Sequence, residues 1–291
     1  MKEGIILSGI GGLYEVCGPD ETVMCKARGL FRKEGIRPLL GDWVRYSEQN
    51  YLEEILPRRN RLVRPAVANM DQVLFVMALH NPEPSWSVLE KFLLEAERQN
   101  LPVLICLNKA DLAQDGEELW REAQRAYGQA GYRVEAVSSR QPETLKNLRR
   151  ELENRLTVIA GPSGAGKTSL INQLVKNGNQ EVGELSRKIA RGKNTTRHAR
   201  LLPLKEVKGW IADTPGFTSF HLGEWTTEEL LEGYPEFAPY EGSCRFRDCR
   251  HMCEPGCRVR EAAERGDISS LRYEAYCQLY REIKEEQERM N

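Results

Sequence analysis

Residues 161–168 read Gly161-Pro-Ser-Gly-Ala-Gly-Lys167-Thr168 and match the phosphate-binding pattern G-x-x-x-x-G-K-[ST]. The apolar run Thr157-Val-Ile-Ala160 precedes the loop, and a helical pattern follows it from about Gly166 to Val175. Glycines let backbone N–H groups turn inward around phosphate oxygens, and the helix N-terminus adds the positive end of its dipole. The stretch therefore predicts a nucleotide-binding loop between a strand and a helix, and with it an α/β fold.

Residues in and after this loop would handle the terminal phosphates. Lys167 is expected to bridge the β- and γ-phosphates, and the Thr168 hydroxyl to take one position around Mg²⁺. Downstream, the apolar run Trp210-Ile-Ala212 delivers Asp213, where a Walker-B-type aspartate holds Mg²⁺, usually through water. Gly216, which closes the segment Asp213-Thr-Pro-Gly216, can offer its N–H to the γ-phosphate because no side chain obstructs the approach.

A third segment, Asn108-Lys109-Ala110-Asp111, has the N-K-x-D pattern that reads guanine in GTP-binding proteins. An Asp carboxylate accepts two hydrogen bonds from guanine N1–H and the 2-amino group, whereas adenine would leave it unpaired and desolvated. Asn108 would brace the loop, the Lys109 stem would lie across the base, and Ser138 and Ser139 would contact guanine O6. We therefore expect GTP rather than ATP. The segment precedes the phosphate loop instead of following it, which indicates a circular permutation.

The hydrolysis residues are less well defined by the pattern. Either Thr195 or Thr196 is expected to supply the switch hydroxyl that joins Mg²⁺, and the sequence does not separate the two. Phe217 stands where many GTPases carry a glutamine that orients the attacking water. Because phenylalanine cannot orient water, we expect slow intrinsic hydrolysis, with the missing group supplied from elsewhere in the switch or by a partner.

A compact cysteine cluster lies near the carboxyl end. The spacing Cys244-x4-Cys249-x-His251-x5-Cys257 supplies three thiolates and an imidazole, the donor set of a closed structural zinc site. Cys253 could replace Cys257 as the fourth ligand. Cys257 is preferred because the intervening Pro-Gly pair can reverse the chain.

The pattern of apolar residues and turns changes twice along the chain, which predicts three domains. Residues 1–65 carry short β-type runs between glycine-rich turns, which favours a small barrel; a five-stranded OB-type barrel fits the length, and an SH3-like barrel is the alternative. Residues 66–219 alternate apolar runs with amphipathic helices, a pattern typical of a mostly parallel, doubly wound sheet. Residues 220–291 are helical and bear the cysteine cluster.

Composition limits the environment and the partners. Apolar residues make up 40% of the 291 and charged residues 29%, no apolar run is long enough to cross a membrane, and the first residues lack the pattern of a secretory signal, so we expect a cytosolic protein. The net charge of −1 conceals three arginine-rich clusters, which favour a polyanionic partner. Their members are Arg58, Arg59, Arg61 and Arg64; Arg187, Lys188, Arg191, Lys193, Arg197 and Arg200; and Arg245, Arg247, Arg250, Arg258 and Arg260.

The combination of a β-barrel, N-K-x-D ahead of the phosphate loop and D-T-P-G, and the Cys₃His spacing resembles the RsgA (YjeQ) family of circularly permuted GTPases. The resemblance implies GTP hydrolysis stimulated by the small ribosomal subunit during its late maturation, with barrel and zinc module contacting rRNA. Carried over by position, it implies GTP binding by Asn108, Lys109, Ala110, Asp111, Gly161, Pro162, Ser163, Gly164, Ala165, Gly166, Lys167, Thr168 and Ser169. We expect a monomer that uses GTP together with Mg²⁺. It implies Zn²⁺ binding by Cys244, Cys249, His251 and Cys257.

One departure and two rival interpretations stay open at this point. The family's switch usually reads His-Thr-Thr, whereas this chain has Asn194 before the two threonines, and His198 is a candidate substitute. The first rival is an RNA-binding scaffold in which GTP is structural and hydrolysis incidental. The second, a P-loop kinase or ATPase, is disfavoured by the N-K-A-D segment.

Overall fold

The computed structural model describes residues 1–29, 31, 35–62, 65–112, 116–175, 199–214 and 225–290. In chain order the strands are β1 Lys2–Ile10, β2 Leu13–Cys17, β3 Thr22–Ala27, β4 Trp43–Tyr46, β5 Tyr51–Ile55, β6 Arg61–Leu62, β7 Val67–Ala68, β8 Gln72–Ala78, β9 Val103–Asn108, β10 Arg133–Ala136, β11 Leu156–Ala160, β12 Arg200–Pro203 and β13 Trp210–Asp213. The α-helices are α1 Trp86–Arg98, α2 Gly116–Gln129, α3 Lys146–Leu152, α4 Lys167–Leu174, α5 Thr227–Glu232, α6 Arg258–Arg265 and α7 Ser270–Met290. Among these residues no helix combines the length and the apolar character needed to cross a membrane.

The amino-terminal strands close into a barrel in the order β1-β2-β3-β5-β4. Strand β1 pairs with both β2 and β4, and β3 runs parallel to β5. Alternate residues point inward, because successive side chains of a strand lie on opposite faces, and the barrel interior includes Ile6, Val16, Val44 and Leu52. This arrangement confirms the predicted OB-type barrel.

The central sheet has six strands in the order β10-β9-β8-β11-β13-β12. Strand β11, which leads into the phosphate loop, is parallel to β13, and β12 is an antiparallel edge strand. All seven residues of β8 are buried, as expected for a strand covered on both faces. The prediction of a mostly parallel, doubly wound sheet is confirmed. Strands from before the phosphate loop lie on one side of β11 and strands from after it lie on the other.

The chain divides into two compact units. The first comprises residues 1–74, 145–160 and 167–217, and the second residues 75–144, 161–166 and 218–291. The first unit therefore contains the barrel with strands β11 to β13. The second contains the N-K-x-D segment, the glycine-rich part of the phosphate loop and the carboxyl-terminal helices.

Within the second unit, the carboxyl-terminal helices pack onto α1 through buried charge. The Arg272 guanidinium, on α7, is 2.9 Å from Glu90 of α1 and 2.7 Å from Glu236. It also lies over the ring of Tyr234, with 4.6 Å between the guanidinium carbon and the ring centroid. The side chains of Thr226 and Glu229 form a reciprocal capping box at the start of α5.

Several arginines of the basic clusters have structural partners. Arg58 pairs at 2.7 Å with Asp42, whose side chain is fully buried, and Arg59 pairs at 2.8 Å with Asp71. In the third cluster the pairs are Arg250 with Glu228, Arg258 with Glu261, and Arg260 with Glu264. Acidic neighbours therefore offset much of this positive charge, and of these pairs only that of Arg58 with Asp42 involves a buried side chain. Residues 187–197 of the second cluster and Arg64 of the first lie outside the described residues.

Candidate nucleotide and metal sites

The glycine-rich loop adopts a backbone that side chains would obstruct. Gly161, Gly164 and Gly166 have φ values of +128°, +79° and +87°, in the left-handed half of the map that favours glycine. A Cβ atom at Gly161 would collide with the carbonyl oxygen of Val76 in β8. The sequence pattern thus reflects a close backbone approach between the loop and the neighbouring strand.

Asn108 joins the N-K-x-D segment to this loop within the second unit. Its side chain is fully buried at the carboxyl end of β9, and its Nδ2 donates a hydrogen bond of 2.9 Å to the carbonyl oxygen of Ala165. Its Oδ1 accepts a bond of 3.3 Å from the backbone N–H of Ser139. The side-chain amide of Asn108 therefore links its own loop by hydrogen bonds to the loops that contain Ala165 and Ser139. A Cβ at Gly166 would clash with the same Nδ2.

The carboxylate of Asp111 is held in place by the third of these loops. The Ser138 hydroxyl donates to Asp111 Oδ1 at 2.6 Å, and Arg140 Nη1 lies 3.8 Å from Oδ2. The backbone N–H of Ala110 bonds to the carbonyl of Val137 at 3.1 Å. The Asp111 side chain remains 14% exposed, so the carboxylate is oriented but accessible. Sequence reasoning missed Arg140, although its position directly after the two serines was the available signal.

The turn after β8 is a second feature that sequence reasoning missed. The Lys109 ammonium donates to the carbonyl oxygen of Asn81, and Lys109 itself has a φ of +64°, which is uncommon for a residue with a side chain. A Cβ at Gly164 would lie 3.3 Å from the ring of Pro82. This turn therefore supports both the lysine and the glycine-rich loop. A polar run directly after a buried strand, at the sheet edge where such folds bind ligands, was the signal for it.

Three residues of the first unit are the candidate ligands for phosphate and Mg²⁺: Lys167, Thr168 and Asp213. Lys167 opens α4, and burial lowers the pKa of its ammonium while the charge of Asp213 raises it. A partly desolvated ammonium gains most from an anionic ligand such as a phosphate. Thr168 and Asp213 offer a hydroxyl and a carboxylate, the hard oxygen donors that Mg²⁺ prefers. Next to Asp213, the buried Thr214 hydroxyl has no hydrogen-bond partner within the part of the chain that the structure describes.

The remaining hydrolysis candidates cannot be placed. Thr195, Thr196, Gly216 and Phe217 lie outside the described residues, as do Asn194 and His198.

The cysteine cluster comes together as a potential metal centre. One ligand atom each from Cys244, Cys249, His251 and Cys257 lies within 4.8 Å of the others. His251 Nδ1 is 3.4 Å from the Cys257 sulfur and 3.7 Å from the Cys244 sulfur. Zinc bonds of about 2.0–2.3 Å in a tetrahedron require edges of this length, so the four residues fit Zn²⁺. Cys253 is exposed and lies outside the group.

The surroundings of the cluster suit deprotonated sulfur ligands. Backbone N–H groups of Arg258 and Arg260, in the first turn of α6, donate to the sulfurs of Cys244 and Cys257 at 3.3 Å and 3.4 Å. Burial lowers the pKa of His251, which keeps its imidazole neutral and able to ligate. Burial also raises the pKa of Cys249 to about 12, so without a cation this thiol would hold its proton at neutral pH.

Comparison with known proteins covers nearly the entire chain. The model of the RsgA GTPase family matches residues 55–223, and that of the RsgA N-terminal domain matches residues 3–54. The small ribosomal subunit biogenesis GTPase RsgA of Ruminiclostridium cellulolyticum is 46% identical over 98% of this chain and 95% of its own. Its counterpart from Agathobacter rectalis is 42% identical over 98% and 99%.

Two solved structures are similar over comparable lengths. The circularly permuted GTPase YloQ shares 34% identity and a TM-score of 0.75, over 98% of this chain and 96% of that one. YjeQ from Thermotoga maritima shares 33% identity and a TM-score of 0.76, over 97% and 98%.

Proposed function

The chain belongs to the RsgA GTPase family, and from that premise we propose that it hydrolyses GTP to GDP and phosphate on the small ribosomal subunit during maturation of that subunit. The observation that carries the proposal is the hydrogen bond from Asn108 to the carbonyl of Ala165. It joins a guanine-reading segment to a phosphate loop that follows it in the sequence, as a permuted GTPase requires.

The roles of the base-reading residues follow from their surroundings. Asp111 accepts hydrogen bonds from guanine N1–H and the 2-amino group, and the Ser138 hydroxyl fixes the carboxylate for this task. Asn108 holds the base-reading and phosphate-binding loops at one spacing. A purine without those two donors would leave a desolvated carboxylate unpaired, which disfavours ATP.

The remaining residues of the site bind the phosphates and Mg²⁺ in this proposal. Backbone N–H groups of residues 161 and 163–169 would surround the phosphates, and the Lys167 ammonium would neutralise the β- and γ-phosphates. Thr168 and Asp213 would hold Mg²⁺, which when bound offsets phosphate charge. We assign the switch hydroxyl to Thr195 or Thr196 and the γ-phosphate N–H to Gly216.

Hydrolysis itself depends on a group that Phe217 cannot supply. Without a glutamine at that position, the chain alone should turn over slowly, and contact with the small subunit should supply or order the group that positions water. Basic and aromatic groups of the barrel and the zinc module are the proposed rRNA contacts. Arg245 and the exposed Phe246 stack on each other at 5.6 Å on the zinc module, a pairing suited to nucleic acid.

The metal cluster serves a structural role in this proposal. Zn²⁺ bound by Cys244, Cys249, His251 and Cys257 would fix the loop ahead of α6. We assign residues 1–65 to the barrel domain, 66–219 to the GTPase domain and 220–291 to the zinc-binding domain.

The decisive experiment measures multiple-turnover hydrolysis of GTP with and without purified small subunits. We expect slow turnover alone, strong stimulation by the subunit, and no inhibition by a large excess of ATP. Asp111→Asn should lose GTP binding, whereas Asp248→Asn, at an exposed position outside the site, should not. Equal competition by ATP would contradict the guanine assignment. GTP retention without stimulated turnover would favour the RNA-binding scaffold instead.

A further inference from the structure

Within the first unit, Arg200 lies beside the aspartate that the proposed function assigns to Mg²⁺. Arg200 begins β12 and is directly opposite Asp213 in the antiparallel ladder with β13. Opposed residues of such a ladder project from the same face of the sheet, with Cβ atoms about 4.5–5.5 Å apart. The side chains of Arg200 and Asp213 therefore start from neighbouring points on one face of the sheet.

The same arginine is held by the barrel. Its Nη2 lies 2.8 Å from Oε1 of Glu15, which is on β2. The other carboxylate oxygen of Glu15 accepts a hydrogen bond of 3.0 Å from the Ser8 hydroxyl on β1. The side chains of Arg200 and Glu15 are 37% and 20% exposed, so water screens their interaction only partly.

The residues next to this ion pair line a cavity at the barrel wall. The cavity has a volume of about 910 Å³, and its lining includes Tyr14, which precedes Glu15, and Ala199, which precedes Arg200. Arg28 and Arg37 also line it. A molecule bound against this wall would touch both neighbours of the ion pair.

We propose that Arg200 is a positioning residue for Asp213 and that Glu15 sets its effect, so that the barrel tunes the affinity of the nucleotide site for Mg²⁺. The inference rests on the proposed function, because it takes Asp213 as a Mg²⁺-binding residue. The set of Glu15, Arg200 and Asp213 comprises two acidic side chains and one basic side chain. Loss of the Glu15 charge removes one negative charge next to Arg200 and so weakens the attraction of this region for a cation, whereas loss of the Arg200 charge strengthens that attraction.

The test is a Mg²⁺ titration of fluorescent GDP binding, starting from chelator-treated protein. Glu15→Gln should raise the Mg²⁺ concentration that gives half of the maximal effect on GDP binding by about three- to tenfold. The variant removes a nearby negative charge whose interaction with the site water screens only partly. Arg200→Gln should lower that concentration. The double variant should return to within about twofold of the original protein, since its net charge is restored.

The control variants distinguish an effect of the Arg200 charge on Asp213 from a purely structural role of the ion pair with Glu15. Arg200→Lys keeps the charge and should titrate like the original protein. Glu54→Gln removes a carboxylate from a different barrel ion pair, 2.8 Å from Arg45, and should leave the titration unchanged. The thermal midpoint without nucleotide reports any general loss of fold in each variant.

Two outcomes would overturn the inference. If Glu15→Gln and Arg200→Gln shift the Mg²⁺ requirement in the same direction, or if the double variant stays displaced, the pair only holds the barrel in place. Failure of the proposed function gives a different result, because guanine nucleotide binding by the original protein would then show no dependence on Mg²⁺.

Discussion

Replacing Asn108 with alanine tests how the permuted segments are held together. The side chain is fully buried, and its removal leaves the carbonyl of Ala165 and the N–H of Ser139 without their partners. An unsatisfied buried group costs about 1–3 kcal/mol. The Ser139 bond is long at 3.3 Å, so we place it at the low end. The two losses together come to about 2–4 kcal/mol.

The assay has to capture this cost whether it appears in folding or in binding. Urea unfolding in saturating GDP reports both, and unfolding without nucleotide reports folding alone. If the entire cost appears in binding, affinity for GDP falls about thirty- to sevenhundredfold, since 1.4 kcal/mol is a factor of ten. Asn147→Ala, at an exposed position on α3, is the matched control and should change stability by less than about 0.5 kcal/mol.

A clear result would refute the reasoning. If Asn108→Ala unfolds within about 0.5 kcal/mol of the original protein both with and without GDP, the amide does not bracket the loops. The proposed guanine site would then need another explanation.

Three further changes probe the loop, the buried charge and the metal. Gly161→Ala should lower the free energy of unfolding by about 2–4 kcal/mol, measured in urea, because the new Cβ meets a strand carbonyl in a left-handed backbone. Arg272→Met should cost about 3–5 kcal/mol in the same measurement, because it leaves the buried Glu90 carboxylate uncompensated. Cys257→Ser should reduce the zinc content found by elemental analysis and lower the thermal midpoint, and a chelator should do the same to the original protein.

Matched variants give each of these results a reference. Gly128→Ala, in α2 with open space around the new Cβ, should stabilise the chain by about 0.5–1 kcal/mol. The double variant Glu90→Gln with Arg272→Met should lose less free energy of unfolding than Arg272→Met alone, because it leaves no buried charge without a partner. An equal loss in the two variants would contradict the role given to the Glu90 charge. Cys253→Ser should keep its zinc, and loss of the metal there would reverse the choice between the two cysteines.

The local sequence was sufficient to predict a glycine-rich loop between a buried strand and a helix. Gly161 and Gly166 are needed because of backbone geometry, and a G-x-x-x-x-G-K-[ST] pattern after a buried strand reports that geometry directly. The position of Asp111 was also predictable, because it lies three residues after Asn108 at the end of β9, while its role in binding stays a prediction. In both cases residues close in sequence determine the structure.

Long-range pairing of charge was not predictable in the same way. The arginine cluster at 58–64 was interpreted as a surface for a polyanion, yet Arg58 pairs with the buried Asp42. Helical periodicity gave no indication that Arg272, rather than a leucine, would enter the interior of the second unit, where it pairs with Glu90. Such choices depend on a partner far away in the chain, which neither spacing nor composition identifies.

The contact between Glu90 and Arg272 spans 182 positions of the polypeptide. During synthesis this contact can form only after the beginning of α7 has emerged from the ribosome that makes the chain. Until then α1 carries an unneutralised carboxylate on a face meant for the interior, and that face cannot pack as dry apolar surface. A chain cut short ahead of α7 would keep this face hydrated and open to proteases, because α7 supplies the Arg272 guanidinium that neutralises it.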